Sequence, residues 1–321
     1  MLILLLDFAH ISQSSRSHAV STYCIMEAEK PYQPMWTSAH KIGVLVQVVT
    51  LITWISSAVI SVYFHDRIWE LNYLHPSLFT LDHILGDMFW FVYTLHNLRL
   101  HHLTFLNRVG LFVFQSAHIV YDLYKTSPAG LGVMQGQFIL NNVFHFAFIL
   151  LFVNSFFIAA ELLLVLNLLN LCILYFRHSL CWMLIRTATM SGPLAWTIVA
   201  VYWNGSMMVP DPTSTACRVV GQISTWGIFA CGVLFALAQD CIITYSLSFL
   251  SGALGVAQLR SQLVPFQWVS SFTMTATLYV ITVVLIIWKW KLRMLERRRS
   301  FDKKSDKCLE ANKADTDCYE S

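Results

Sequence analysis

FILNNVFHFAFILLFVNSFFIAAELLLVLNLLNLCILYF, residues 138–176, is a run of 39 residues holding one carboxylate, Glu161, and no Lys or Arg. As a single helix it would be ~58 Å long at 1.5 Å per residue, about twice the ~30 Å of a bilayer's hydrocarbon core. One crossing cannot use that length. The run therefore reads as two helices joined by a tight turn near Asn154–Phe157. A second stretch of 39 residues, Val219–Ala257, carries the same excess and predicts a turn near Gln239–Cys241. Outward from these, Ile42–Phe64, Pro76–Leu95, Val109–Tyr124, Gly192–Val209 and Val264–Trp288 each supply one further crossing. The total is nine spans, or eight if a long stretch hides a re-entrant segment. No run alternates as a membrane β-barrel strand does. The expected fold is an all-α polytopic transmembrane helix bundle.

Composition agrees. The chain has 321 residues, 56% of them hydrophobic and 12% charged, half of the ~25% usual in soluble domains. Residues 1–40 hold 5 charges and residues 289–321 hold 17, leaving 17 among the 248 residues of 41–288. The chain divides accordingly into a polar amino-terminal leader (1–40), a transmembrane domain (41–288) and a basic, then mixed-charge tail (289–321). This distribution excludes a soluble enzyme, a disordered scaffold and a nucleic-acid binder. MLILLLDFAH has an aliphatic run of only five residues, Leu2–Leu6, before Asp7, too short for a secretory core or a span. Residues 1–25 are therefore read as a non-structural extension ahead of Met26. Lys289, Lys291, Arg293 and Arg297–Arg299 follow the last span directly, so the positive-inside rule puts the carboxyl terminus in the cytosol. The endoplasmic reticulum is the default membrane for such a chain. Eight cysteines show no metal-ligand spacing and are expected as reduced thiols.

Charged side chains within spans cost at least about 2.5–3.5 kcal/mol each at mid-bilayer, so each needs a reason. Five carboxylates qualify: Asp82, Asp87, Asp122, Glu161 and Asp240. His83 precedes Asp87 by four residues, and His118 precedes Asp122 by four, so each pair shares a helix face and could shuttle a proton. The bland alternative is a hydrogen-bonded pair that joins two helices. Glu161 is the leading candidate for a general acid, because an apolar setting favours the neutral carboxyl that such an acid must have. Asp87 and Asp122 follow, then Asp240 beside its turn. The same acids could equally be neutral groups bonded to neighbouring helices.

Aromatic residues are abundant: 11 Trp, 12 Tyr and 22 Phe. Trp196 and Trp203 stand seven apart, on one helix face, with Tyr202 and Asn204 beside them. Trp90, Trp268 and the polar Asn170 extend the set of candidate substrate-binding residues. Rings lining a dry cavity stabilise a carbocation through their quadrupoles, although most rings of a membrane protein face lipid or the interface. No aspartate cluster for a magnesium diphosphate is present, nor a P-loop, GxSxG, HExxH or histidine-box pattern, and no metal or other cofactor is implied.

AELLLVLNLLNLCILYFRH (160–178), SGPLAWTIVAVYWNGSMMV (191–209) and ALGVAQ (253–258) resemble a mostly uncharacterised family of fungal multi-pass membrane proteins. That family looks related to the membrane-bound terpene cyclases of meroterpenoid secondary-metabolite pathways. The resemblance extends over roughly residues 35–290 and brings no catalytic signature with it. It implies a metal-independent isomerase or lyase-type enzyme that folds a prenyl chain, epoxidised at its end, on a lipophilic substrate drawn from the membrane. Buried acids, rings and the missing magnesium cluster fit such chemistry. Two other readings use the same residues: a proton-coupled carrier of a small metabolite, and a non-catalytic membrane protein whose acids bind helices together.

Overall fold

The computed structural model describes residues 38–91, 131–177, 190–209, 211, 214–261, 263–264 and 266–317. Among these residues all regular structure is helical. The elements are α1 (Ser38–Tyr63), α2 (His65–Leu74), α3 (His83–Phe91), α4 (Leu131–Val153), α5 (Phe157–Arg177), α6 (Gly192–Met207), α7 (Thr215–Leu237), α8 (Cys241–Ser261) and α9 (Gln267–Asp317). Among the described residues, six helices are long and apolar enough to cross a membrane: Leu45–Tyr63, Gly136–Val153, Phe157–Arg177, Thr215–Leu237, Cys241–Ser261 and Gln267–Leu295. The chain is an integral membrane protein by this measure. The expected span Val109–Tyr124 lies outside the described residues.

Both over-long runs break where their lengths require. α4 ends at Val153 and α5 begins at Phe157; α7 ends at Leu237 and α8 begins at Cys241. The two turns are built alike. Ser155 donates to the Phe152 carbonyl (2.9 Å) and Phe156 to that of Leu151 (2.9 Å). Gln239 and Asp240 repeat this pattern onto Ala236 and Phe235, both at 2.8 Å. Each turn is a Schellman motif, in which the last carbonyls of one helix are satisfied by the chain leaving it. Ser155 (φ 62°) and Gln239 (φ 60°) occupy the left-handed position usually given to glycine.

One expected span takes another form. Instead of a helix over Pro76–Leu95, the chain from His75 to Asp82 is irregular and α3 starts at His83. Part of the cause is local competition for the backbone. Thr80 Oγ1 accepts from Ser77 N (2.7 Å) and donates to Ser77 O (2.9 Å), giving this segment a turn in place of a helix.

α6 is the centre of the bundle. Every residue from Ser191 to Ala200 is buried, and α5, α7 and α8 pack around it. A helix apolar on all sides is a core helix, and at 16 residues (~24 Å) α6 is also shorter than a bilayer core. Of α8's apolar run 67% is buried, against 22% of α9's, which places α8 inside and α9 on the rim. Two ends can be distinguished. The turns after α2 and α4 meet the ends of α6 and α8 and the start of α9. At the opposite end, Lys289 of α9 donates to the Gln239 carbonyl in the α7–α8 turn.

Candidate functional site

The described carboxylates divide by what holds them. Asp240 is an N-cap: its Oδ1 accepts from Ile242 N (3.0 Å) and Ile243 N (3.1 Å), and Ser191 Oγ stands 3.5 Å from Oδ2. Its burial (2% exposed) is explained by two backbone donors that need it. Asp82 caps α3 through Leu85 N (3.1 Å) and pairs with Arg260 at the end of α8. Asp87 accepts from His65 (2.8 Å) and from the indole of Trp69 (3.2 Å). The histidine that reaches Asp87 is thus His65, across from α2, and not His83 on its own helix. His83 Nδ1 instead meets the hydroxyl of Tyr73. Proximity on one face is outcompeted here by partners that only tertiary packing supplies.

Glu161 differs from all of these. It is the fifth residue of α5, ~6 Å along the axis from its start, so it sits near the turn rather than deep in the apolar run. Its one hydrogen bond comes from Asn204 Nδ2 (2.9 Å), which also donates to the Phe157 carbonyl (2.8 Å). Asn204 is fully buried. The carboxyl lies beside Gly205 of α6, where an added Cβ would stand in ordinary contact, 3.6 Å from Glu161 Oε1. Two candidate residues from separate sequence stretches, Glu161 and Asn204, are therefore in direct contact.

The Trp pair is turned inward. Trp203 is 1% exposed and Trp196 7%, and their rings meet edge to face at 6.1 Å. Trp203 also contacts Phe152 (4.8 Å) and Trp69 (6.2 Å), and its indole donates to Asn72 Oδ1 (2.8 Å). The remaining candidates are dispersed. Tyr202 stacks on Phe79 (5.4 Å), away from Trp203. Asn170 donates to Gln137 O (3.0 Å) and Asn167 to Asn141 Oδ1 (3.1 Å), both tying α5 to α4. Trp268 packs edge to face on Phe272 (6.3 Å) of its own helix. Asp122 lies outside the described residues, and of Trp90 only its backbone place in α3 is described.

Residues that spacing in the spans did not single out form the busiest polar cluster. His65, Trp69 and Asn72 follow an i, i+4, i+7 pattern on α2, a signal present in HDRIWELNYL. Gly86 lies under Trp69; a Cβ would come within 2.5 Å of its ring. Asn72 donates to Leu81 O (3.0 Å), Gln258 to Ser77 O (3.1 Å) and Leu78 O (2.8 Å), and Gln267 to the same Leu78 O (2.8 Å). Side chains from α2, α8 and α9 thus pin the irregular segment in place. Beside it lies a cavity of about 280 Å³ lined by residues of α2, the segment and α8. Burial, and then the charge of Asp82, push the Tyr73 phenol above its ordinary value, so it keeps its proton at neutral pH. Among the described residues no three His, Cys, Asp or Glu side chains gather as a metal site.

Residues 218–309, which take in α7, α8 and much of α9, match a family described as "Fungal protein of unknown function (DUF1774)". The match covers under a third of the chain and stops short of Glu161 and Asn204. It agrees with the likeness to an uncharacterised fungal family and carries no link to terpene cyclases. No curated protein and no solved structure matches the chain.

Proposed function

We propose that this protein is a metal-independent terpene cyclase of the membrane, in which Glu161 protonates the terminal epoxide of a prenyl chain on a meroterpenoid precursor. The observation that carries the reading is the state of Glu161. Asp82 and Asp240 are occupied as helix caps and Asp87 is paired with His65. Glu161 has one amide donor, supplied by the helix that also bears Trp196 and Trp203. The proton would go to the epoxide oxygen as its C–O bond breaks, leaving a tertiary cation. Alkene π electrons then form each ring bond in turn. Loss of a proton to a carboxylate ends the sequence, so product and substrate have the same mass. A prenylated substrate partitions into lipid, which gives a reason for the site to be in the bundle.

On this reading the membrane is that of the endoplasmic reticulum, crossed eight or nine times, with the carboxyl terminus cytosolic. Six basic residues after the last apolar run support that side for α9. The Glu161 end would then face the lumen.

The test uses yeast membranes containing the full chain and an epoxidised farnesyl-phenol. A product of unchanged mass and new chromatographic retention is expected. Glu161→Gln should lower its formation by on the order of 10²–10⁴ while insertion persists. In the same sealed membranes, protease should remove a carboxyl-terminal tag; full protection would reverse the orientation. Normal turnover in Glu161→Gln with a dead Asp87→Asn would move the acid to Asp87. Amide replacements tolerated at Glu161, Asp87, Asp122 and Asp240 alike would end the reading and leave these carboxyls as helix-joining groups.

A further inference from the structure

The cavity of about 280 Å³ at the end of α8 has a wall of Asn72, Leu81 and Ala257, with Tyr73, Pro76 and Arg260 at its exposed edge. The volume is that of about nine water molecules at ~30 Å³ each, far more than an isolated bridging water needs. Its charge is set by an unequal pair. Arg260 is bonded to Asp82, yet the arginine side chain is 60% exposed and the aspartate 3%. Asp82 is turned inward, with Oδ1 taken by Leu85 N. A guanidinium has five N–H donors, and Arg260 uses Nη1 on Asp82. What the mouth presents is therefore a cation with donors to spare, beside the neutral phenol of Tyr73. The cavity also lies at the Ser261 end of the stretch of α8 that is long and apolar enough to cross a membrane.

We propose that this cavity binds the acidic head of a single-chain amphiphile, a carboxylate or phosphate monoester whose hydrocarbon chain lies along the apolar wall. The planar fork of arginine matches both anions. The volume takes a head and the first few carbons of one chain, and not the glycerol and paired chains of a phospholipid. The proposal is independent of the cyclase reading, since none of these residues was given a part in that reaction.

The experiment measures saturable binding to the full chain in phosphatidylcholine nanodiscs, with empty discs subtracted. Decanoate, decyl phosphate, decanol and inorganic phosphate are the probes. Decanoate and decyl phosphate should saturate, and decanol should bind at least tenfold more weakly. Arg260→Gln should weaken decanoate at least tenfold. Ala257→Leu, which fills the cavity without touching a charge, should do the same. Asp82→Asn keeps a capping side chain and removes the competing charge, so decanoate should bind more tightly. A merely structural Asp82–Arg260 pair predicts no such gain. Decanoate binding that is equal in empty discs, or unchanged in both Arg260→Gln and Ala257→Leu, would overturn the proposal. Inorganic phosphate binding as well as decyl phosphate would also overturn it, leaving a plain anion site.

Discussion

The α4–α5 and α7–α8 hairpins start from runs of equal length and close with the same Schellman turn, yet they use their acids in opposite ways. In α7–α8 the residue after the left-handed Gln239 is Asp240, and its carboxylate satisfies the first free N–H groups of α8. In α4–α5 the corresponding residue is the exposed Phe156, and the acid comes five positions later, at Glu161. There it has no helix end to serve and is met by Asn204 of α6. An acid in an apolar run is thus not one kind of feature. Its offset from the helix start decides whether the backbone consumes it.

The largest effect is expected where one hairpin depends on another helix. Asn204→Leu would leave the Glu161 carboxyl without its donor and take from the Phe157 carbonyl its second bond, at a cost of about 1–3 kcal/mol for the unpaired group. Unfolding in mixed micelles, followed by tryptophan fluorescence, measures it. An Asn204→Leu protein as stable as the parent would mean that α5 is positioned by its turn alone, and the contrast between the hairpins would fail.

A smaller effect is expected at the other turn. Asp240→Ala removes a cap worth typically about 1 kcal/mol, within a range of ~0.5–2. Asp240→Asn should recover most of it, because an amide oxygen accepts the same two N–H bonds. The pair of variants separates cap from acid: a group needed for its proton would be lost equally in both. Cyclisation unaffected by Asp240→Asn would agree with the cap.

Both turns were legible because length alone forces a break and because Asn154 and Gln239 stand where the apolar runs are weakest. The spacing of seven put Trp196 and Trp203 on one helix face; that this face is inward comes from the burial of α6. The segment 75–82 was not legible. Its apolar content suggests a helix, and the side chains that hold it otherwise, Gln258 and Gln267, lie some 180 residues away in sequence. The same limit applies to Asp87. Its nearest histidine along the helix is His83, while its partner His65 is brought by the fold. Arg260 and Tyr73 gave no signal in the spans, because each looks like an ordinary interfacial residue until Asp82 and His83 are placed against them.

The hairpins also differ in how their two arms adhere, and this sets the smallest prediction. α4 and α5 are joined by Asn167 donating to Asn141 (3.1 Å), with both residues buried. In α7–α8 the arms meet at Thr244, whose hydroxyl lies 3.4 Å from Gly232 O but bonds chiefly to Asp240 O (2.7 Å) in its own helix. Hydrogen bonds between helices in a bilayer contribute only about 0.6 kcal/mol on average, because the separated helices also find partners. Asn167→Leu should therefore cost somewhat more than that figure, since Asn141 is left buried and without its donor. Asn141→Leu should behave likewise. The double variant should be less destabilised than the sum of the two, because removing both partners leaves no polar group behind. A double-mutant cycle on detergent unfolding midpoints reads this directly. Strict additivity would show that the two amides do not act as a pair, leaving the Asn170–Gln137 bond and packing to hold α4 to α5.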